Sequence, residues 1–316
     1  MTRILSYNIL IGGTHRVEQL TRIIRSSRSD VVGLIEAVDE QIVKELAERL
    51  GMQYRLSGRA NGQGAVLSRL PIRNMKIHKN TIITKQPILE VCVEETDGQP
   101  LTVFVTHLTA DFGKVWAANK ARRREVQELL HIMESCRGTK HVLMGDFNSL
   151  APGERLKGSA FLRYVAVPDF YHQLKPDPSI KAPDLDFVMS PALRFMKPLL
   201  ELMLKSKFLS TMLDAVDTLY APRGGIDLLG QSGYVDCFRS LYPNTKGYTW
   251  PAPIPAGRID FIFASPELAQ QLTAAGVILE GEGVAAYQAS DHLPIFAEFG
   301  TASTEHVDNE TKDEYT

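Results

Sequence analysis

The 316-residue chain contains only three cysteines, Cys92, Cys136 and Cys237, widely spaced and without a C-x-x-C pair. That excludes a disulfide framework and a cysteine-based metal site, and it fits a reducing, cytoplasmic setting. A strong charge of either sign is lacking too, with Lys+Arg 35 against Asp+Glu 37 and a formal net charge of -2. No global cationic field marks a polyanionic partner, so nucleic-acid contact would rest on a local patch. Part of the acidity lies in the final segment, 301–316, where Glu305, Asp308, Glu310, Asp313 and Glu314 stand against one base, Lys312, leaving 34 bases and 32 acids in the body. Also lacking is any run of eighteen or more uncharged apolar residues, which excludes a membrane-spanning helix. The start, Arg3 to Leu10, has neither the long apolar core nor the small-residue cleavage site of a secretory signal, and it reads as a strand. No fixed-period repeat or long polar linker divides the chain. One domain over about residues 1–300, monomeric and followed by a solvated acidic tail at 301–316, is therefore expected.

What is present alternates between two periodicities. Runs rich in β-branched and aromatic residues occur at Ile4–Ile9, Val31–Ile35, Ala65–Ser68, Ile88–Glu94, Leu101–His107, His141–Gly145, Ile259–Ala264 and Ile295–Phe299. Apolar positions three or four apart predict helices at Val17–Arg25, Glu40–Leu50, Lys114–Ser135 and Pro266–Ala275. Asp97-Gly98 between two strand-like runs predicts a hairpin, so the sheet is at least partly antiparallel. Pro191 to Leu219 is rich in Leu, Met and Phe at near-helical spacing. It reads as part of a helical insertion at about 188–230, with core-packed helices, a lid, and a membrane-surface or partner-binding element as the open alternatives.

Five segments place a polar residue at the end of an apolar run, where loops collect catalytic groups. They end in Asn8, Glu36, His107, the pair Asp146 and Asn148, and the group formed by Asp260 with Asp291-His292. Singly, each has an ordinary reading. Asn8 suits a turn, Glu36 a helix cap, and Gly145-Asp146-Phe147-Asn148 a turn whose glycine bends the chain. A catalytic histidine needs an acceptor on its second ring nitrogen, and Asp260 is the best candidate to orient His292.

Taken in order, Asn8, Glu36, Thr106-His107-Leu108, Gly145-Asp146-Phe147-Asn148, Arg258-Ile259-Asp260-Phe261-Ile262 and Ser290-Asp291-His292 resemble the endonuclease/exonuclease/phosphatase superfamily. The likeness runs from residue 3 to about 299. It implies a mixed α/β fold, a four-layer αββα sandwich with two face-to-face sheets, and a divalent-metal-dependent phosphoester hydrolase, a phosphodiesterase or nuclease. It further implies Mg²⁺, with Mn²⁺ as a substitute, held by Glu36 with Asn8 and Asp291 close by. Asp146 would position or deprotonate the attacking water, Asn148 would hold a phosphate oxygen, His107 and His292 would donate to the phosphoryl group, and Asp260 would orient His292. Phospholipid or small-molecule phosphoesters and a noncatalytic binding role on the same fold are the alternatives. Arg122-Arg123-Arg124 and Trp250 favour a nucleic acid as partner, against the ordinary reading of a solvated helix face. The chain departs from the family at Ile35, where many members carry glutamine, and at Arg59 to Gly64, where no acid stands to pair with His107.

Overall fold

The computed structural model describes residues 1–58, 63–79, 86–110, 115–166, 198, 214 and 222–300. The first half runs β1 (Thr2–Asn8), α1 (Val17–Ser27), β2 (Val31–Ile35), α2 (Glu40–Leu50), β3 (Gln53–Leu56), β4 (Gly64–Ser68), β5 (Ile72–His78), β6 (Ile88–Glu94), β7 (Pro100–His107), α3 (Val115–Met133) and β8 (His141–Asp146). The rest comprises α4 (Gly158–Ala166), α5 (Ile226–Gln231), β9 (Val235–Asp236), α6 (Cys237–Leu241), β10 (Asp260–Ala264), α7 (Pro266–Ala269), β11 (Leu272–Val277), β12 (Glu280–Gly281), β13 (Val284–Ala285) and β14 (Ile295–Phe299).

Among the described residues the strands form two six-stranded sheets, ordered β11-β14-β1-β2-β4-β3 and β5-β6-β7-β8-β10-β9, plus the small ribbon β12-β13. Each large sheet has one parallel pair, β1 with β2 and β7 with β8, and its other pairings are antiparallel. A parallel pair needs a crossover, which α1 supplies in the first sheet and α3 in the second. Each pair consequently brings two carboxyl-terminal strand ends side by side.

Alternation along the strands builds the layers. Ile4, Val31, Ile35 and Val66 of the first sheet meet Leu89, Val91, Val103, Val105 and Met144 of the second in one core between the sheets. On the outer face of the first sheet, Leu5, Tyr7, Val32 and Leu34 pack on Leu20 and Ile24 of α1 and on Val43 and Leu46 of α2. On the outer face of the second, Phe104, Leu143, Phe261 and Phe263 pack on Val126 and Leu129 of α3 and on Ile226 and Leu229 of α5. These are the four αββα layers expected from the sequence. The Asp97-Gly98 hairpin is present as the β6–β7 connection, with Gly98 at φ 80°. No helix among the described residues is long and apolar enough to cross a membrane.

Pro266–Ala275 does not form the single predicted helix. Helix α7 stops at Ala269, and Leu272–Val277 is instead an edge strand on β14. Its apolar spacing satisfies both periods, and pairing with the exposed edge of β14 decides between them. The four-residue strand β3 and the seven-residue β5, whose apolar Ile72, Met75 and Ile77 do not alternate regularly, carry too weak a pattern to stand out in sequence. Most of the Met-rich insertion and the acidic tail lie outside the described residues; the described end of that insertion holds α5.

Two buried glycines test how tightly the sheets are spaced. A Cβ at Gly145, which has φ 152°, would overlap the backbone carbonyl oxygen of Thr106 on β7, whereas one at Gly33 would meet the flexible Met144 methyl at 2.6 Å. Gly145→Ala should therefore lower unfolding stability by more than about 4 kcal/mol, and Gly33→Ala by about 1–3 kcal/mol. Urea unfolding of the two variants checks this, and equal losses would contradict the proposed difference between rigid and yielding neighbours.

Candidate active site

The two parallel pairs place their strand ends face to face across the sandwich. In the second sheet, Asp146 is level with His107 on one side and Asp260 on the other. In the first, Asn8 ends β1, level with Ile35, and Glu36 follows immediately. Glu36 has φ 58°, an uncommon conformation for a non-glycine residue, and its carboxylate accepts from Ile11 N at 2.8 Å. Asn8 crosses the gap between the sheets: its amide nitrogen lies 3.1 Å from Asp146 Oδ2, 3.2 Å from Glu36 Oε1 and 3.5 Å from His292 Nε2.

Asp146 Oδ2 is the point of convergence. Besides the Asn8 amide, it has His107 Nε2 and His292 Nε2 each at 3.7 Å. Its other oxygen accepts from Asn148 N at 2.8 Å, and Asn148, at φ 47°, donates its amide to Leu108 O at 3.1 Å. Burial pushes the Asp146 carboxyl up to about 6, with the Asp260 charge adding to the rise and the two histidines opposing it. His292 Nδ1 lies 2.9 Å from Asp260 Oδ2, as expected of an orienting acid. Burial alone would discharge this ring, but Asp260, Asp291 and Asp146 outweigh it and push His292 up to about 10.

His107 does have an orienting partner, and it is one that reasoning from acids missed. Gln63 Oε1 lies 2.6 Å from His107 Nδ1. A neutral amide oxygen fills the role expected of a carboxylate, and it comes from the Arg59 to Gly64 stretch, which carries no acid. Asp291 also has unforeseen neighbours. Its Oδ2 accepts from Trp250 Nε1 at 3.2 Å and from the Tyr164 hydroxyl at 3.3 Å. Trp250 is only 7 % exposed, packed against Phe161, Tyr164 and His292. It therefore supports Asp291 and is not a surface for stacking a base. Arg122, fully buried, donates to Thr109 O and Asn119 Oδ1, so of the Arg122-Arg123-Arg124 run only the last two face solvent.

Three further contacts hold the site's loops. Buried Arg16 donates to the carbonyls of Ile9, Leu10 and Ala289, tying the segment after Asn8 to the segment before Asp291. Ser290 Oγ donates to Asn8 O at 2.7 Å. Arg258, 2 % exposed at the entry to β10, is bound by Asp236 and Glu154 and so fixes the strand that begins with Asp260.

Residues 5–292 match the model of the Endonuclease/Exonuclease/phosphatase family. The chain belongs to that family. Comparison with curated protein sequences gave no significant match. Among solved structures, the family fold recurs in the 3' phosphatase NExo from Neisseria bound to a product DNA hairpin, at 18% identity and TM-score 0.61, covering 95% of this chain and 100% of that one. It recurs in an AP endonuclease from Archaeoglobus fulgidus, at 17% identity and TM-score 0.59, covering 95% and 99%. Humanized D. rerio TDP2 is similar at 17% identity and TM-score 0.56, again covering 95% and 99%.

The donor set fits the divalent cation implied by the family resemblance. Asp291 Oδ1 is buried without a hydrogen-bond partner among the described residues, and Asp291 is held above the usual carboxylate range by burial and by the nearby Glu36 charge. A hard cation would satisfy that oxygen and relieve both effects. Among the described residues the tightest group of metal-competent atoms is a different one, Asp146, Asp260 and His292, within 4.8 Å of one another. The Asp260–His292 hydrogen bond already uses two members of that group, and a charged imidazole repels a cation. A cation on the Glu36 and Asp291 side would instead meet an oxygen to which no described residue donates.

In metal-free protein, an NMR titration should show the His292 ring charged through neutral pH, with a midpoint near 10. Asp260→Asn removes the foremost stabilising charge and should lower that midpoint by at least about one unit. A wild-type His292 titrating near its ordinary value would refute this electrostatic account.

Proposed function

We propose that this chain is a divalent-metal-dependent phosphoester hydrolase, a phosphodiesterase or nuclease in which water attacks phosphorus in line with the leaving oxygen. The observation that supports this reading above others is the pair of 3.7 Å separations from Asp146 Oδ2 to His107 Nε2 and His292 Nε2. A proton acceptor thereby stands between two rings that can donate to phosphoryl oxygens. Water loses a proton to Asp146 as its oxygen bonds to phosphorus and the bond from phosphorus to the leaving oxygen breaks. His292, held charged by Asp260, donates to the phosphoryl group, and His107, fixed by Gln63, donates from the opposite side. Asn148 gives one amide hydrogen to Leu108 O and has a second for a phosphate oxygen. A Mg²⁺ ion held by Glu36 and Asp291, with Asn8 alongside, would supply positive charge to offset that building on the phosphoryl and leaving oxygens. The DNA product named with the Neisseria structure supports nucleic acid as the substrate class.

Glu36→Gln, Asp146→Asn and His292→Ala should each lower kcat for bis(p-nitrophenyl) phosphate about 10³-fold with Tm preserved. EDTA should abolish turnover, and Mg²⁺ or Mn²⁺ should restore it. Folded variants with wild-type turnover would refute the assigned roles. In parallel, turnover of single-stranded DNA, abasic DNA, RNA, sphingomyelin and an inositol phosphate should favour a nucleic acid; a preference for the lipid would overturn the substrate class.

A further inference from the structure

Helix α3 connects the two catalytic segments of the second sheet. Thr109, two residues after His107, donates its N–H and hydroxyl to Glu125 of α3 and accepts from Arg122. On the other side, Asn119 of α3 accepts from Arg223 N at 2.9 Å, and Gly224 N donates to the hydroxyl of Ser149, the residue after Asn148. The first turns of α3 are thus anchored to the loops carrying His107 and Asn148.

The inward face of α3 carries Ala118, Arg122, Glu125, Val126 and Leu129. The outward face is unusual. Trp116 is 82% exposed, the most exposed aromatic side chain among the described residues. At spacings of four and seven it is followed by Lys120 and Arg123, so the three lie in a row along the helix, with exposed Arg124 beside them. Asn119 and Arg123 mark the helix edge that meets the 223–227 segment, and Trp116 lies one turn nearer the helix start than Asn119. Beside Arg123, at the far end of that edge from Trp116, opens a cavity of about 220 Å³ lined by Arg123, Leu150, Pro152, Arg223, Gly225 and Asp227, beginning two residues beyond Asn148. Arg123 is tethered to Asp227 at 2.9 Å, and Arg223 is fixed to the carbonyls of Ala151 and Glu154, so both cations are held in place.

We propose that this edge of α3 is the track for the single nucleic-acid strand next to the scissile phosphate, with Trp116 as a base-stacking platform and Lys120 and Arg123 facing the phosphates. The proposal rests on the phosphoester-hydrolase reading above and adds where and how the strand is held. A flat π-face beside cations suits unpaired nucleotides, because every base stacks and every linkage carries charge. With a net charge of only -2 on the whole chain, such a patch is what a polyanion requires. Continuity with the loops of His107 and Asn148 gives the track its direction.

Binding of a fluorescein-labelled twelve-residue oligothymidylate to the full chain in EDTA, where cleavage is blocked, tests this independently of catalysis. Trp116→Ala should weaken binding roughly tenfold and Trp116→Phe less than threefold, because a ring preserves stacking. Lys120→Ala should lower the slope of log affinity against log salt by about 0.7, as loss of one single-strand phosphate contact requires. With Mg²⁺ present, hydrolysis of bis(p-nitrophenyl) phosphate, too small to reach α3, should be unchanged in all three. Wild-type oligonucleotide affinity in Trp116→Ala overturns the track, as does duplex bound more tightly than single strand without dependence on Trp116. A wild-type protein that binds the oligonucleotide through Trp116 but hydrolyses no phosphodiester would refute the hydrolase reading while leaving the track standing.

Discussion

Burying a carboxylate is unfavourable unless cations or several donors accompany it, and this chain gathers the buried Asp146, Asp260 and Asp291 with the half-buried Glu36 at one end of its sandwich. The arrangement answers that repulsion locally. His292 is held charged among three of the acids, Arg16 lies close enough to Asp291 to draw its carboxyl back down, and the Asn8 amide is shared between Glu36 and Asp146. What stays unbalanced is on the Glu36 and Asp291 side, where one buried oxygen has no partner among the described residues. The asymmetry leaves one side of the site short of positive charge and the other side balanced by the His292 ring.

Topology makes that gathering attainable. One parallel pair in each sheet aligns two strand ends, and stacking the sheets brings four such ends together, so residues far apart in sequence need no long loops to meet. The close approach of Gly145 to the Thr106 carbonyl keeps His107 and Asp146 level. Arg258, sandwiched between Asp236 and Glu154 and lying over the ring of Phe261, holds the third strand in the row.

Apolar runs that stop at a polar residue marked eight positions, each with an ordinary reading of its own, and only their joint order, resembling the family, drew them together; the structure brings them to one end of the sandwich. Alternation and the Asp97-Gly98 turn gave the strands and a partly antiparallel sheet, whereas the four layers followed only from the resemblance to the family. Gln63 was not legible, since a neutral amide in a loop carries no compositional mark of pairing with a histidine 44 residues away. Trp250 and Arg122 were legible as residue types but not as buried ones: an indole or guanidinium reads alike in sequence whether it faces solvent or supports Asp291 and Thr109 from within. Leu272–Val277 illustrates a further limit, because a short apolar run takes its conformation from the edge it finds.

The bond from Ser290 to the Asn8 carbonyl spans 282 positions, and β1 takes the last strand, β14, as a neighbour. A ribosome therefore delivers the first active-site residue long before the strand that locks it. Until β14 docks, Asn8 and Glu36 face no Asp291 or His292, and the site stays unassembled while the chain is tethered. Such high contact order slows folding. It also makes assembly of the site coincide with completion of the domain, so a truncated product would retain much of the fold's hydrophobic surface without Asp291 and His292 set against Asn8 and Glu36.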